Sequence, residues 1–213
     1  MPTAGSSHEP PMGPASLGAP WRLDYLERLG KEERQGKVPT PGTGSFILDY
    51  WLNANLDIPN HVVVRTDEGM ILLNAFPYAP GHLLVALGDA RPSLLDYTPD
   101  QRRTLFDLVG AATALMERAL EPQGINTGIN QGRAAGAGIP QHLHVHLVPR
   151  WGGDTNFITT IGQVRVLPAS LDAMAARYRA VWEQMTTGGY RIGEEPSPTH
   201  HSSPSTQNPS SSN

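Results

Sequence analysis

The sequence predicts an α+β fold: an antiparallel five-stranded sheet with one long helix and a C-terminal helix. Three observations predict it. Short apolar runs bounded by turn residues lie before and after one long amphipathic segment. Within that segment apolar residues recur at three- and four-residue steps, the period of a helix. The last short run, HLHVHLV at 142–148, alternates with a period of two, the period of a strand.

Each element follows in order. Residues 1–18 are rich in Pro, Gly and Ser, and 186–213 end in a Ser/Pro-rich run. Neither buries enough apolar surface to offset its ordering entropy, so both are expected to be disordered tails around a domain spanning 19–185. Trp21–Leu29 is expected to form a short helix, followed by a polar stretch to Gly44. His61–Arg65 reads as a strand, Asp67–Gly69 as a tight turn, and Met70–Phe76 as the second strand of a hairpin. Residues 77–81 form a loop, and His82–Leu87 a third strand. Thr98-Pro99-Asp100-Gln101 carries a capping box with proline in the first turn. Leu105, Leu108, Val109, Ala112, Leu115, Met116 and Ala119 then line one helix face that ends before Pro122. Residues 125–130 read as the fourth strand, 132–138 as a Gly/Ala loop, 141–148 as the fifth strand and 170–185 as the final helix.

Composition excludes several functions. The chain has 213 residues, a net charge of −4 and no cysteine. The charge gives no support for binding nucleic acid or an anionic membrane. Without cysteine there is no disulfide, thiol nucleophile or cysteine-ligated zinc. Residues 1–20 hold no Lys or Arg and no apolar core, and no run approaches the length of a membrane span. The expected compartment is the cytoplasm.

Three of the eight histidines fall within five residues. In a strand His142, His144 and His146 share one face, and Leu143, Val145 and Leu147 the other. The aliphatic face suits a core. Three readings of the histidine face compete. It is a solvated sheet surface, a metal site, or a site of covalent catalysis at phosphorus, where a neutral imidazole attacks and its neighbours hold and protonate. No carboxylate follows within seven residues, which weakens the metal reading. The Ala135–Gly138 run lies just upstream, and its bare backbone could cradle phosphate. Arg133 and Arg150 flank the unit and could neutralise phosphate charge.

The H-φ-H-φ-H-φ-φ pattern resembles the signature of the histidine triad (HIT) superfamily of nucleotide hydrolases and transferases. Leu73-Asn74, followed by Pro80-Gly81-His82-Leu83-Leu84-Val85, resembles its nucleotide-contacting strand and turn. VPRWGGDTNF at 148–157 and APWR at 19–22 resemble a branch that includes actinobacterial-type diadenosine tetraphosphate phosphorylases. The resemblance covers 19–185. It implies that His144 is the nucleophile, that the main chain of His142 orients it, that His146 contacts the α-phosphate and bridging oxygen, and that His82 backs the triad. It further implies that Asn74 meets the ribose, Asn130 reaches the phosphates, and the backbone of Gly136, Ala137, Gly138 and Ile139 binds phosphate. Trp151 stacks on a base or packs a dimer neighbour.

The implied function is cleavage of dinucleoside polyphosphates through a nucleotidyl-histidine, with phosphate as acceptor. The alternative is a hydrolase acting on such nucleotides or on nucleoside phosphoramidates. A non-catalytic nucleotide sensor is the rival of another class, and a degenerate binder would be expected to lose some of the histidines. No cofactor is implied for the chemistry, Mg²⁺ accompanies the substrate, and relatives dimerise through the long helix and the next strand. Two departures stand out. Where many relatives carry a Cys-x-x-Cys pair for a structural zinc, this chain has Ser45-Phe46-Ile47-Leu48, so no zinc is expected and an apolar substitute is. The phosphate loop also lacks the family's Gln and Ser/Thr, in a version similar to that of the phosphorylases.

Overall fold

The computed structural model describes residues 43–154 and 169–194. The expected helix at 21–29, the N-terminal tail, the 155–157 end of the second motif and residues 195–213 lie outside them. The described residues form three α-helices, α1 (Phe46–Leu52), α2 (Pro99–Leu120) and α3 (Leu171–Thr187). Five strands, β1 (Val62–Arg65), β2 (Gly69–Leu73), β3 (Leu83–Leu87), β4 (Gly124–Ile129) and β5 (Val145–Arg150), make one sheet. Their order is β1-β2-β3-β5-β4, and each neighbouring pair is antiparallel.

Helix α2 forms as its sequence dictates. Thr98 Oγ1 accepts from the Gln101 amide, and Gln101 Oε1 accepts from the Thr98 amide, closing the capping box. All seven residues of its expected apolar face are buried. Glu121 ends it in the left-handed region, and Pro122 prevents continuation. That face joins Tyr178 of α3, Leu143 and the sheet residues Ile71, Leu73, Leu83, Val85, Val145 and Leu147 in the main core.

The opposite face of the sheet is apolar as well. Met70, Leu72, Leu84 and Ala86 pack there with Ile47 and Ile139, and Phe46, Tyr50 and Trp51 lean on them. Because β2 and β3 are covered on both faces, they read as continuous apolar runs instead of alternating ones. Helix α1 is thus the apolar substitute foreseen at 45–48, with Ile47 fully buried.

Several boundaries differ from expectation. The first strand begins at Val62; His61 takes a left-handed conformation (φ 54°) that breaks the extended backbone, although its carbonyl still accepts from the Leu73 amide of β2. Strand β2 starts at Gly69, inside the expected turn, and stops at Leu73, because Asn74 Oδ1 accepts from the Phe76 amide (2.9 Å) in a local turn. The fifth strand begins at Val145, not 141. Ahead of it the Leu143 amide donates to the Arg91 carbonyl and the His142 amide to that of Ile139, so 142–143 bond outside the ladder. The two-residue alternation still holds, since Leu143, Val145 and Leu147 all enter the main core. Helix α3 runs two residues past its expected end, and Tyr190 and Ile192 pack on the core beyond it. The folded part therefore reaches at least Ile192 instead of stopping at 185.

Candidate active site

The histidines lie on the sheet face opposite α2 and α3, in sequence phase with Leu84 and Ala86. His82 and His142 are fully buried and His144 is 5 % exposed, so their ring nitrogens must find partners. Those partners set each ring's tautomer.

The first chain of bonds runs through His142. Its Nε2 lies 2.8 Å from the Leu87 carbonyl, which can only accept, so Nε2 carries the proton. Its Nδ1, 3.1 Å from Ser45 Oγ, accepts from that hydroxyl. Ser45 also caps α1 by accepting from the Leu48 amide. The His142 carbonyl in turn accepts from His144 Nδ1–H at 2.8 Å. His144 therefore holds its proton on Nδ1 and a lone pair on Nε2. Among the described residues that Nε2 has no hydrogen-bond partner, and no fully buried side-chain nitrogen lacks one. The lone pair consequently reaches the surface of the site.

The second chain of bonds has the opposite outcome. The Tyr78 amide donates to His82 Nδ1 at 3.1 Å, and the Asn74 side-chain amide lies 3.3 Å from the same nitrogen. His82 must then carry its proton on Nε2, which donates to His146 Nδ1 at 3.0 Å. A neutral His146 accepting at Nδ1 has its N–H at Nε2. Asn130 Nδ2 lies 3.5 Å from that atom, at the limit of a bond, and the Asn130 amide accepts from that N–H only when turned to present its oxygen. The Tyr78 ring stacks on His82 at 4.9 Å, and His144 and His146 meet edge to face at 4.9 Å. A bare nitrogen and an N–H thus stand on neighbouring rings, which equips the pair to attack one atom and protonate its leaving group.

Burial pushes both His142 and His144 below the ordinary imidazole range; the Leu87 and His142 carbonyls partly oppose this. His144 is therefore neutral and nucleophilic at physiological pH. A stability consequence follows. In the unfolded chain these rings take up protons near pH 6.5, whereas folded they do so only at lower pH. Unfolding then binds protons, and stability that is full above that value is lost as pH falls below it. The melting temperature should fall from about pH 7.5 to about pH 5.5, and less so in a His142→Gln variant. A flat profile in the parent protein would remove the buried neutral rings from this account.

The remaining sequence-predicted residues are partly gathered here. Asn74 points its amide at His82 and its oxygen at the Phe76 amide. In the 132–139 loop, the Gly136 and Ala137 amides bond to the Arg133 and Gly132 carbonyls. Those of Gly138 and Ile139 make no bond among the described residues, while the Ile139 side chain is buried. Arg150 bonds elsewhere: its guanidinium donates to both Asp154 oxygens, at 2.5 and 2.9 Å, and to Asn126. Trp151 follows it at the end of β5. Ser45, Leu87 and Tyr78 carry no chemical signature in the sequence; their roles depend on a hydroxyl, a carbonyl and an amide meeting a ring from distant segments. A zinc ion does not fit at 45–48, where a hydroxyl already bonded twice and an apolar side chain replace the thiolates.

The pattern of the HIT domain family matches residues 55–153. AP-4-A phosphorylase of Mycobacterium tuberculosis is 42% identical over 155 residues, 73% of this chain and 77% of that protein. The asymmetrical bis(5'-nucleosyl)-tetraphosphatase of Schizosaccharomyces pombe is 35% identical over 97 residues, 46% of this chain and 53% of its own. A HIT-like protein structure from Bartonella henselae superposes with a TM-score of 0.50 at 25% identity, covering 61% of this chain and 91% of that one. Sequence shared at this level through the strands that carry the four wired histidines means that the chain belongs to the HIT domain family.

Proposed function

We propose that the protein cleaves dinucleoside polyphosphates of the diadenosine tetraphosphate type and passes the nucleotidyl group to orthophosphate. The observation that carries this reading is the opposed pair of tautomers, a lone pair on His144 Nε2 beside an N–H on His146 Nε2. His144 Nε2 attacks the α-phosphorus. The bond from phosphorus to the bridging oxygen breaks, and that oxygen leaves as ATP with the proton of His146. AMP is then joined to His144 Nε2, and the ring, still protonated at Nδ1, is cationic. The His142 carbonyl stabilises that charge. An orthophosphate oxygen attacks next and gives its proton back to His146 Nε2, the phosphorus–nitrogen bond breaks, its electron pair returns to His144 Nε2, and ADP departs.

Support for phosphate over water as acceptor is twofold. The relative named AP-4-A phosphorylase matches more of this chain, at higher identity, than the relative named a tetraphosphatase. The loop ahead of the histidines also offers backbone amides at Gly138 and Ile139 where an anion would dock. Asn74, Asn130 and these amides bind nucleotide; Mg²⁺ arrives with the substrate and no resident metal is needed. We also read the protein as a cytoplasmic homodimer. No described helix is long and apolar enough to cross a membrane. Strand β4 is an exposed sheet edge, and α2, the element before it, exposes Phe106.

Product analysis with diadenosine tetraphosphate, with and without orthophosphate, tests the reading. ADP and ATP formed only with phosphate are expected. AMP and ATP formed without phosphate would make the protein a hydrolase, and no turnover in either tube would overturn the substrate class.

A further inference from the structure

Tyr178 is fully buried in α3, a helix beyond the 55–153 span of the family pattern. Its hydroxyl donates to the Gly81 carbonyl at 2.8 Å, one residue before His82. Burial raises its pKa far above the ordinary phenol value, so it stays a donor at any working pH. Gly81 takes φ +83°, and a side chain there would strike Leu120 and the Tyr178 oxygen. The turn Tyr78–Gly81 is thus pressed against the end of α2 and α3, and its amide at Tyr78 sets the tautomer of His82. Other α3 contacts go elsewhere: Arg179 donates to the Val62, Asp57 and Ile58 carbonyls at the entry to β1, and Asp172 meets His61.

We propose that Tyr178 is a positioning residue for the reaction. By anchoring the Gly81 carbonyl, its hydroxyl holds the 78–82 turn so that the Tyr78 amide, His82 and His146 stay aligned and the proton waits on His146 Nε2. A helix outside the family's matched region then governs the acid half of the chemistry, and the nucleophile half, held through Ser45, Leu87 and His142, is independent of it. The catalytic consequence rests on the function proposed above; the tether itself does not.

The test is Tyr178→Phe, which keeps the ring in the core and deletes only the donor. Arg179→Met serves as the control that loosens the same helix away from the turn. Nitrogen NMR of the histidine rings in unliganded protein reads the tether without any substrate. In Tyr178→Phe the His82 and His146 signals should lose their fixed tautomers, while those of His142 and His144 stay; in Arg179→Met all four should stay. Turnover of diadenosine tetraphosphate by Tyr178→Phe should fall about tenfold in kcat with KM little changed. Adenosine 5′-phosphorofluoridate, whose fluoride leaves without a proton, should lose less than about twofold. Unchanged ring signals, or equal losses on both substrates, would overturn the positioning role. Altered His82 and His146 signals in a protein that cleaves neither substrate would uphold the tether and refute the proposed function instead.

Discussion

His144→Asn should lower turnover of diadenosine tetraphosphate by roughly 10⁴-fold or more while leaving affinity for a non-cleavable analogue within a few fold. The asymmetry follows from how the ring is held. Asparagine can still offer an N–H to the His142 carbonyl, as His144 Nδ1 does at 2.8 Å, so the backbone around it need not move. What it lacks is the lone pair of Nε2. Substrate groups contacted by the loop amides and the asparagines are untouched, so binding persists. Rapid base quenching of wild-type enzyme with labelled substrate should trap a nucleotidyl adduct that later acid treatment releases, as a phosphorus–nitrogen bond to imidazole requires. The variant should trap none. A variant retaining a tenth of the wild-type rate would remove His144 from the nucleophile role.

The second large effect concerns His146, the acid of the proposed mechanism. His146→Asn should reduce kcat on diadenosine tetraphosphate by about 10²–10⁴-fold, with KM changed only a few fold. The proton that follows the leaving oxygen is held on His146 Nε2 because His82 Nε2–H occupies Nδ1 at 3.0 Å. Without the ring the bridging oxygen must depart as an anion or take a proton from water. Single-turnover rates separate this step from product release. A change in KM with kcat intact would sink the assignment, since it would mean that His146 binds ground state and transition state equally.

The two variants together measure a division of labour that geometry alone created. Chemically the three histidines are identical. His142 spends both nitrogens, on Ser45 and Leu87, and contributes only its carbonyl. His144 keeps its acceptor and His146 its donor. The difference arises from which distant backbone or side-chain group meets each ring, and no residue type in the HLHVHLV run announces it.

By itself the sequence determined the class, the α2 helix and which strand face the histidines share. The capping box at Thr98, the seven-residue apolar face and the stop at Pro122 are local signals that act within a few residues, so they survive without tertiary knowledge. The alternation at 142–148 likewise sorted Leu143, Val145 and Leu147 to the core because side-chain direction in an extended chain depends only on parity. Where strands begin and end was less legible. His61 adopts a left-handed conformation, Asn74 turns the chain on itself, and residues 142–143 bond outside the ladder, each because of a partner chosen by the fold. Helix α1 was not read from the sequence: its apolar residues matter only because the sheet's second face needs covering. Most of all, tertiary structure decided protonation. Ser45 lies 97 residues from His142, Leu87 lies 55 from it, and His82 lies 64 from His146; a tautomer is a property of such pairs and is written in neither partner alone.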